Sequence, residues 1–446
     1  MITYKSHIRS LVALGIPIVI GQLGNIAQAF ADTMMVGQYG TDELSAAGFT
    51  NNVFNLVIFF LLGFSYSTTP IVGSHFGRGQ YAEAARTLKE SLAMNLLVCA
   101  RIVSLMTLLY FNLHRLGQPE EILPLIRPYF LVILVSLPFM SVFNSLKQFC
   151  DAVGDTQTPM WVMICGNILN IVGNYLLIFG HCGLPELGLV GAGIATLFSR
   201  ILMSVIIAAI VFFTDKYAAY REGMKLKMTR RGLWHLGKVG FPISLQMSME
   251  TASFNVCAVM MGWLGASALA AHQIVCTVGS LCFMVYYGIG AAAAVRISHF
   301  RGRGEWREVR RAAFVAFGLT LFAGVVLASA IYIFRMPLTR AFTTSEVVVA
   351  TVMPIILPLM LYQLGDSMQT VFANSLRAIE DVKMMMWYAF IAYIVVSIPL
   401  SYLFAFPLGG GSAGIWYGFP FGLTTAGVLF FMRFDRQTRR IMKSGK

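Results

Sequence analysis

Residues 187–213 read LGLVGAGIATLFSRILMSVIIAAIVFF, a stretch in which Arg200 is the one charged residue. A helix rises about 1.5 Å per residue, so a helix of this length covers roughly 40 Å and exceeds the ~30 Å hydrocarbon core of a bilayer. Eleven further apolar runs of similar length lie before and after this stretch, at about 9–37, 47–75, 88–113, 122–146, 157–180, 231–262, 268–298, 309–334, 347–376, 383–406 and 411–433. The sequence therefore predicts an all-α integral membrane protein with twelve transmembrane helices.

The composition agrees with this prediction. Hydrophobic residues make up 57% of the chain and charged residues 12%, with a mean hydropathy of +0.72. A soluble domain has roughly 45–50% apolar and about 25% charged residues. The composition excludes an ordinary soluble fold.

The net charge of +13 reflects where the basic residues lie. Lys and Arg concentrate in the even-numbered connections, for example 216–231 and 301–311, and in the tail 433–446. The odd-numbered connections contain few, such as Arg115 and Arg335. By the positive-inside rule both termini are expected in the cytoplasm, with anionic lipid headgroups as partners and no nucleic acid.

The two halves of the chain repeat each other at an offset of about 220–226 residues, as internal repeats of transporters do. Ser74-His75-Phe76-Gly77-Arg78-Gly79 recurs, with one inserted residue, as Ser298-His299-Phe300 and Gly302-Arg303-Gly304. We expect an N-terminal six-helix lobe at 1–214, a cytoplasmic linker at 215–232 and a C-terminal six-helix lobe at 233–446. The lobes would be pseudo-symmetric, and a central cleft between them is the expected substrate path.

Prolines interrupt matching helices of the two halves: Pro17 and Pro242 in helices 1 and 7, and Pro138 and Pro358 in helices 4 and 10. A proline frees a backbone carbonyl and bends a helix. These residues are candidates for hinges, with a simple packing kink as the alternative.

Three acidic residues lie inside apolar spans: Asp32, Glu250 and Asp366. Burial at the centre of a membrane helix costs roughly 2.5–3.5 kcal/mol, so such a carboxylate is by default a functional candidate. A carboxyl group without water holds a proton more tightly unless a cation replaces that proton. We predict a cation-coupling role for all three acids, Asp32, Glu250 and Asp366, and Glu250 and Asp366, which belong to the same half, could share one ion. The alternative is a carboxylate satisfied by a polar neighbour, for which the candidates are Thr33, Ser248, Thr251, Gln363, Ser367 and Gln369.

Arg200 is either a counter-charge for one of these acids or a cation that reaches the interface. Asn167, Asn170 and Asn174 are spaced three and four residues apart, so they share one face of helix 5. They either join helices by hydrogen bonds or line the cleft with polar groups.

Other chemistry is not indicated. The seven cysteines form no CxxC pair and are interpreted as small core residues. No GxxxxGK[ST], HExxH or GxSxG motif occurs, so ATP hydrolysis, enzymatic activity and a bound cofactor are not expected. A channel is disfavoured because the buried acids differ between the halves. A flippase for lipid-linked saccharides stays the alternative, although it should show more basic residues in its cleft.

Several short motifs, taken in order along nearly the whole chain, resemble those of multidrug and toxic compound extrusion (MATE) transporters, and among them the NorM-like branch. They are Asp32-Thr33 with Met35-Val36-Gly37, Asn174-Tyr175, Gly188 to Thr196, Ala271-His272-Gln273, Tyr362-Gln363 with Asp366, and Ser375-Leu376-Arg377.

The resemblance implies an antiporter in a prokaryotic inner membrane that exports cationic or amphipathic drugs in exchange for Na⁺ or H⁺, working as a monomer. Glu250 and Asp366 match the second-lobe cation site, which would hold Na⁺ in a sodium-coupled member. Asp32 matches the first-lobe acid. The asparagines of helix 5, with Tyr362, Gln363 and Gln273, are the implied candidates for the substrate cleft.

Overall fold

The computed structural model describes residues 3–116 and 121–444, and within those ranges the chain forms helices and no strands. Twelve long helices, here α1 to α12, coincide with the twelve predicted spans. Their bounds are Tyr4–Tyr39, Thr41–Gly77, Tyr81–Phe111, Leu123–Ala152, Gln157–Phe179, Gly188–Phe213, Arg230–Trp263, Ala266–Arg303, Trp306–Ile333, Glu346–Ala378, Val382–Ala405 and Gly411–Lys443.

Eleven of the twelve helices are long and apolar enough to cross a membrane, and α7 is the exception. At 34 residues α7 is long enough, but it carries Gln246 and Glu250 in its middle and Arg230 and Arg231 at its start. A span that holds several polar groups in its centre is typical of a helix that lines a functional site.

Three helices are irregular. α2 breaks at Tyr66 and Ser67, and α10 contains a 3₁₀ turn at Met353–Ile355. α11 contains a π-helical stretch, Phe390–Ser397. Mid-helix 3₁₀ and π segments often mark functional positions, because they turn side chains that regular helix would place elsewhere.

The chain divides into two compact units. Unit 1 comprises Met1–Val19 and Leu245–Lys446, and unit 2 comprises Ile20–Ser244. The divisions fall within α1 and α7, two residues after Pro17 and two residues after Pro242. Pro138 lies inside α4, whereas Pro358 lies in the first turn after the 3₁₀ break of α10. The positions of Pro17 and Pro242 suit the predicted hinges, and the lobe boundaries at 214 and 233 stay a prediction.

Within unit 1, α10 is the central helix, and the start of α1 contacts α8 and α9. The His7 ring donates a hydrogen bond from Nε2 to the carboxylate oxygen Oε2 of Glu308 on α9, at 2.9 Å. A Cβ at Gly15 would lie 3.2 Å from the carbonyl oxygen of Gly288 on α8. Gly365 brings the backbone of α10 within contact of Thr424 on α12. Small residues thus allow helices to pack closely around α10.

Within unit 2, α4 takes the central position, and the start of α7 packs on α2. A Cβ at Gly63 would lie 2.7 Å from the Cα of Ser244. The segment expected to be a linker is ordered here, as a 3₁₀ turn at Asp215–Tyr220 and a short helix at Arg221–Lys225. Glu90 accepts hydrogen bonds from the Thr229 backbone and hydroxyl at 2.7 and 2.8 Å. The segment is therefore bound to unit 2.

All seven cysteines are unpaired. Cys99, Cys150, Cys257 and Cys282 are buried, as expected of small core residues. Cys165 and Cys182 are exposed, so the core interpretation was wrong for them. An apolar run predicts a membrane span but not which face of the helix a residue occupies.

Candidate functional site

The first candidate site lies on one face of α10 in unit 1. Tyr362, Asp366, Gln369 and Thr370 share this face because they are separated by three or four residues. Asp366 is 1% exposed. Its Oδ1 accepts a hydrogen bond from the Thr370 hydroxyl at 3.2 Å, while Oδ2 is buried without a hydrogen-bond partner among the described residues. Burying a carboxylate oxygen without a hydrogen bond is unfavourable in free energy, and a bound cation or proton would remove that penalty.

Glu250 on α7 lies close enough to Asp366 for the two carboxyl groups to interact electrostatically. Its Oε2 accepts hydrogen bonds from Gln246 Nε2 at 2.9 Å and from Gln369 Nε2 at 3.3 Å. Gln369 also donates to the hydroxyl of Tyr393, on the π-helical stretch of α11, at 2.6 Å. Two acids predicted from sequence to share one site are thus brought together, and amide groups hold one of them.

Arg377 on α10 belongs to the same cluster. It is 8% exposed, and its Nη2 donates to Gln246 Oε1 at 2.5 Å. The guanidinium also interacts electrostatically with Glu250. The site therefore combines two carboxylates with one buried positive charge.

Aromatic rings surround Tyr362, one helical turn from Asp366. The rings of Phe254 and Phe419 stack with centroids 4.5 Å apart, and Trp416 lies 5.1 Å from Phe419. Tyr362 contacts all three rings, at centroid distances of 6.1–6.3 Å. Gln363 accepts a hydrogen bond from Tyr286 at 3.0 Å, and its Nε2 is buried without a partner among the described residues. Aromatic faces attract organic cations.

The second candidate site lies in unit 2 around Asp32 of α1. Asn174 Nδ2 donates to Asp32 Oδ1 at 2.5 Å, and Gln28 Nε2 donates to Oδ2 at 3.4 Å. With its amide turned to satisfy its surroundings, Asn170 donates to Oδ1 at 2.9 Å and accepts from Thr196. Two of the three predicted asparagines therefore bind the predicted acid. The third, Asn167, donates instead to Asn25 of α1 at 3.1 Å.

Arg200 takes part in the second site as a counter-charge. It interacts electrostatically with Asp32 and with Tyr129, and its Nη1 donates to Ser136 at 2.6 Å. Of the two interpretations left open by the sequence, this geometry favours the counter-charge. The Tyr129 hydroxyl donates in turn to Asn51 at 3.3 Å.

Sequence reasoning missed several members of the two sites. Gln246 and Gln28 each lie four residues before an acid. This spacing could have predicted them as partners of the acids, because residues four apart share a helix face. Tyr393 and Tyr129 reach the sites from other helices, so no local pattern could find them. Gln273, predicted for the cleft, has an exposed side chain on α8.

The donor set suits a hard cation. Among the described residues no group of three or more His, Cys, Asp or Glu side chains forms a candidate metal site. Unit 1 offers instead two carboxylates with amide and hydroxyl oxygens. Oxygen donors of this kind suit hard ions rather than zinc or copper, which prefer nitrogen and sulfur.

Comparison with known proteins agrees with the fold and with the internal repeat. The MatE family model matches the chain twice, over residues 17–176 and 242–403. A probable multidrug resistance protein NorM of Bradyrhizobium diazoefficiens is 32% identical over 437 residues, covering 96% of this chain and 93% of the relative. The multidrug resistance protein NorM of Vibrio cholerae is 28% identical over 441 residues, covering 96% and 95%.

A solved structure, the outward-facing conformation of a multidrug resistance MATE family transporter of the MOP superfamily, matches with a TM-score of 0.90. The match covers 97% of this chain and 96% of that chain at 20% identity, which shows the shared fold. The predicted all-α membrane fold with twelve helices is confirmed. With the family model spanning both halves of the sequence, this multi-pass membrane protein belongs to the MatE family.

Proposed function

We propose that this protein is a cation-driven antiporter that exports cationic or amphipathic drugs, with Na⁺ or H⁺ as the coupling ion. The observation that carries the proposal is Asp366, whose buried Oδ2 has no hydrogen-bond partner among the described residues and which lies beside Glu250. The family membership and the names of the NorM relatives support multidrug export.

The proposed setting is a prokaryotic inner membrane with both termini in the cytoplasm. The basic connections and the basic end of α12 would then face the cytoplasm, where they meet anionic lipid headgroups. A monomer suffices for this function, because each candidate site is formed by one chain.

The proposed mechanism is competition between cation and drug. From the outward-facing state the cation enters the cluster of Glu250 and Asp366, neutralises it and favours release of the drug. Departure of the cation to the cytoplasm restores the negative charge, which attracts the next cationic drug. A ligand can drive such a cycle only by binding two conformations with different affinity. The aromatic rings around Tyr362 offer the drug a surface next to the carboxylates.

The Asp32 site would serve the drug, or the change between conformations, rather than the coupling ion. Its carboxylate already accepts hydrogen bonds from amides on both oxygens and has Arg200 nearby. It therefore needs a cation less than Asp366 does.

Export of an anionic, lipid-linked substrate is less well supported. Such a head group needs positive charge that is free to bind it. Arg200 interacts with Asp32, Arg377 with Glu250, and Lys147 with Asp151, so each of these membrane cations has a nearby carboxylate.

The test is ethidium efflux from proteoliposomes that contain the purified protein, driven in turn by an inward Na⁺ gradient and an inward proton gradient. We expect one of the two gradients to drive efflux, and we expect Glu250→Gln and Asp366→Asn each to lower that response by roughly 10- to 100-fold. Full cation-dependent efflux in both variants would refute the proposed coupling site. No efflux under either gradient would refute drug export.

A further inference from the structure

A similar tetrapeptide near the end of the central helix of each unit ends in a buried cation. Asn144-Ser145-Leu146-Lys147 lies on α4, and Asn374-Ser375-Leu376-Arg377 lies on α10. Lys147 is 5% exposed and Arg377 is 8% exposed. Cations are rarely buried without a specific partner, so the two partners can be compared directly.

The two cations differ in how their charge is used. Lys147 Nζ binds Asp151 one turn later on its own helix, at 2.7 Å. Asp381 lies four residues after Arg377, beyond the end of α10, and its two carboxylate oxygens bind Arg433 of α12 at 2.6 and 3.1 Å. The carboxylate four residues after Lys147 is thus paired with Lys147 itself, whereas the carboxylate four residues after Arg377 is engaged by Arg433.

Arg377 is connected instead to the carboxylates of the candidate site. Its Nη2 donates to Gln246 Oε1, and Gln246 Nε2 donates to Glu250 Oε2 at 2.9 Å. The amide of Gln246 therefore transmits the orientation of the guanidinium to Glu250. Gln246 is fully buried, which leaves this link no competing solvent.

We propose that Arg377 is a positioning residue and a fixed counter-charge that sets the number of coupling cations at one. With both carboxylates ionised, Glu250, Asp366 and Arg377 together carry a formal charge of −1, which one monovalent cation neutralises. Glu250 is held by two amides and by the link to Arg377, so Asp366 Oδ2 is the oxygen that receives the cation. This inference rests on the proposed cation-coupled export and adds its stoichiometry.

An exchange of one Na⁺ or H⁺ for one monovalent drug cation moves no net charge across the membrane. Ethidium carries one positive charge, so its efflux is expected to be independent of an imposed membrane potential. Two coupling cations per ethidium would instead make efflux faster when the interior is negative.

The experiment measures ethidium efflux from proteoliposomes, at a membrane potential set with K⁺ and valinomycin, against the concentration of the driving ion. In the wild type we expect the same rate at zero and at interior-negative potential. In Arg377→Gln the site carries a charge of −2, so we expect the half-saturating cation concentration to fall by at least about tenfold. The maximal rate should fall as well, because the cation leaves more slowly.

Arg377→Lys keeps the positive charge and should return the half-saturating concentration to near the wild-type value, although lysine lacks the planar fork of arginine. The double variant Lys147→Gln/Asp151→Asn removes a buried charge pair of unit 2 and should leave the cation dependence unchanged. Potential-dependent wild-type efflux, or an unchanged half-saturating concentration in Arg377→Gln, would overturn the inference. The wild-type measurement decides the matter even if Arg377→Gln does not fold.

Cation binding to the purified protein, followed by tryptophan fluorescence, separates this inference from the proposed function. Trp416 contacts Tyr362, which lies one turn from Asp366, and so reports on the site. Cation binding that depends on Arg377, without ethidium efflux, would leave the inference standing and refute drug export. Cation-driven efflux in which Arg377→Gln behaves as the wild type would support drug export and refute the inference about Arg377.

Discussion

Asp32 in unit 2 and Asp366 in unit 1 are both carboxylates inside membrane helices, yet their surroundings differ. Asp32 is half-buried, and amides of Gln28, Asn170 and Asn174 donate to its two oxygens. Asp366 is 1% exposed; its Oδ1 accepts a hydrogen bond from Thr370, and its Oδ2 has no hydrogen-bond partner among the described residues. A carboxylate whose acceptors are satisfied is stable without a cation, whereas one with an unsatisfied oxygen and a second acid nearby is not. The comparison supports the proposal that ion coupling resides in unit 1.

The largest expected effect comes from removing the acids of unit 1. Asp366→Asn and Glu250→Gln each delete a charged ligand of nearly the same shape. A hydrogen bond or ligand contact to a charged group contributes about 1.5–3 kcal/mol, so the cation-driven efflux rate should fall by roughly 10- to 100-fold. Ser367→Ala, on the same buried helix, is the control and should stay within about twofold. Equal activity of the acid variants and the control would break the comparison.

A smaller effect is expected in unit 2. Asn174→Ala removes one of the amides that donate to Asp32, but Gln28 and Asn170 still donate to this carboxylate, so ethidium binding should weaken by about tenfold at most. The half-saturating concentration of the driving cation should not change. Asn167→Ala is the matched control, since Asn167 lies on the same helix face but donates to Asn25. A change in cation dependence in Asn174→Ala would move ion coupling toward Asp32.

The packing of α10 on α12 can be tested separately from its charges. A Cβ at Gly365 would lie 2.9 Å from the Thr424 hydroxyl and 3.1 Å from its backbone nitrogen. Overpacking of this kind costs about 1–3 kcal/mol, so Gly365→Ala should lower the unfolding temperature measured in detergent. Gly318→Ala on α9 is the control, because a Cβ there meets nothing within 4 Å. An unchanged unfolding temperature in Gly365→Ala would show that α10 has room to shift.

The smallest effect concerns the ordered segment 215–229. Burial raises the pKa of Asp155, but hydrogen bonds from Lys216, Thr158 and Tyr217 outweigh burial and hold it below the ordinary value of 3.8. Because the pKa of Asp155 is lowered in the folded protein, its carboxylate stabilises the contact at every pH above about 4. This stabilisation is lost only as the pH falls through the lowered pKa. Asp155 should therefore add no pH dependence to efflux between about pH 5 and 8.

Asp155→Asn should speed tryptic cleavage of this segment by up to about tenfold, because the segment opens more often. Asp215→Asn is the control, since the Asp215 side chain is 99% exposed and its contact with Arg221 contributes little. A change in the pH profile of efflux in Asp155→Asn would contradict the interpretation that Asp155 stays ionised between about pH 5 and 8.

The membrane spans were predictable because hydropathy is a local property of the sequence. The breaks in α2 and α10 and the π-helical stretch of α11 were not, since they depend on how neighbouring helices pack. The three acids stood out because each is rare inside an apolar span. Their partners on other helices, such as Tyr393, could not be recognised, because the spacing of residues within one helix does not show which residues of other helices they contact. In the sequence Arg377 is visible only as part of a motif. Its hydrogen-bonded link to Glu250 through Gln246 is visible only in the structure.

The most direct test of the account is displacement of bound ethidium from the purified protein by the coupling cation, titrated as Na⁺ and as pH in Asp32→Asn and Asp366→Asn. The account predicts that Asp366→Asn still binds ethidium but no longer releases it when the cation is added. Asp32→Asn should release whatever ethidium it binds at the cation concentration of the wild type. Loss of displacement in Asp32→Asn, with normal displacement in Asp366→Asn, would contradict the assignment of ion coupling to unit 1.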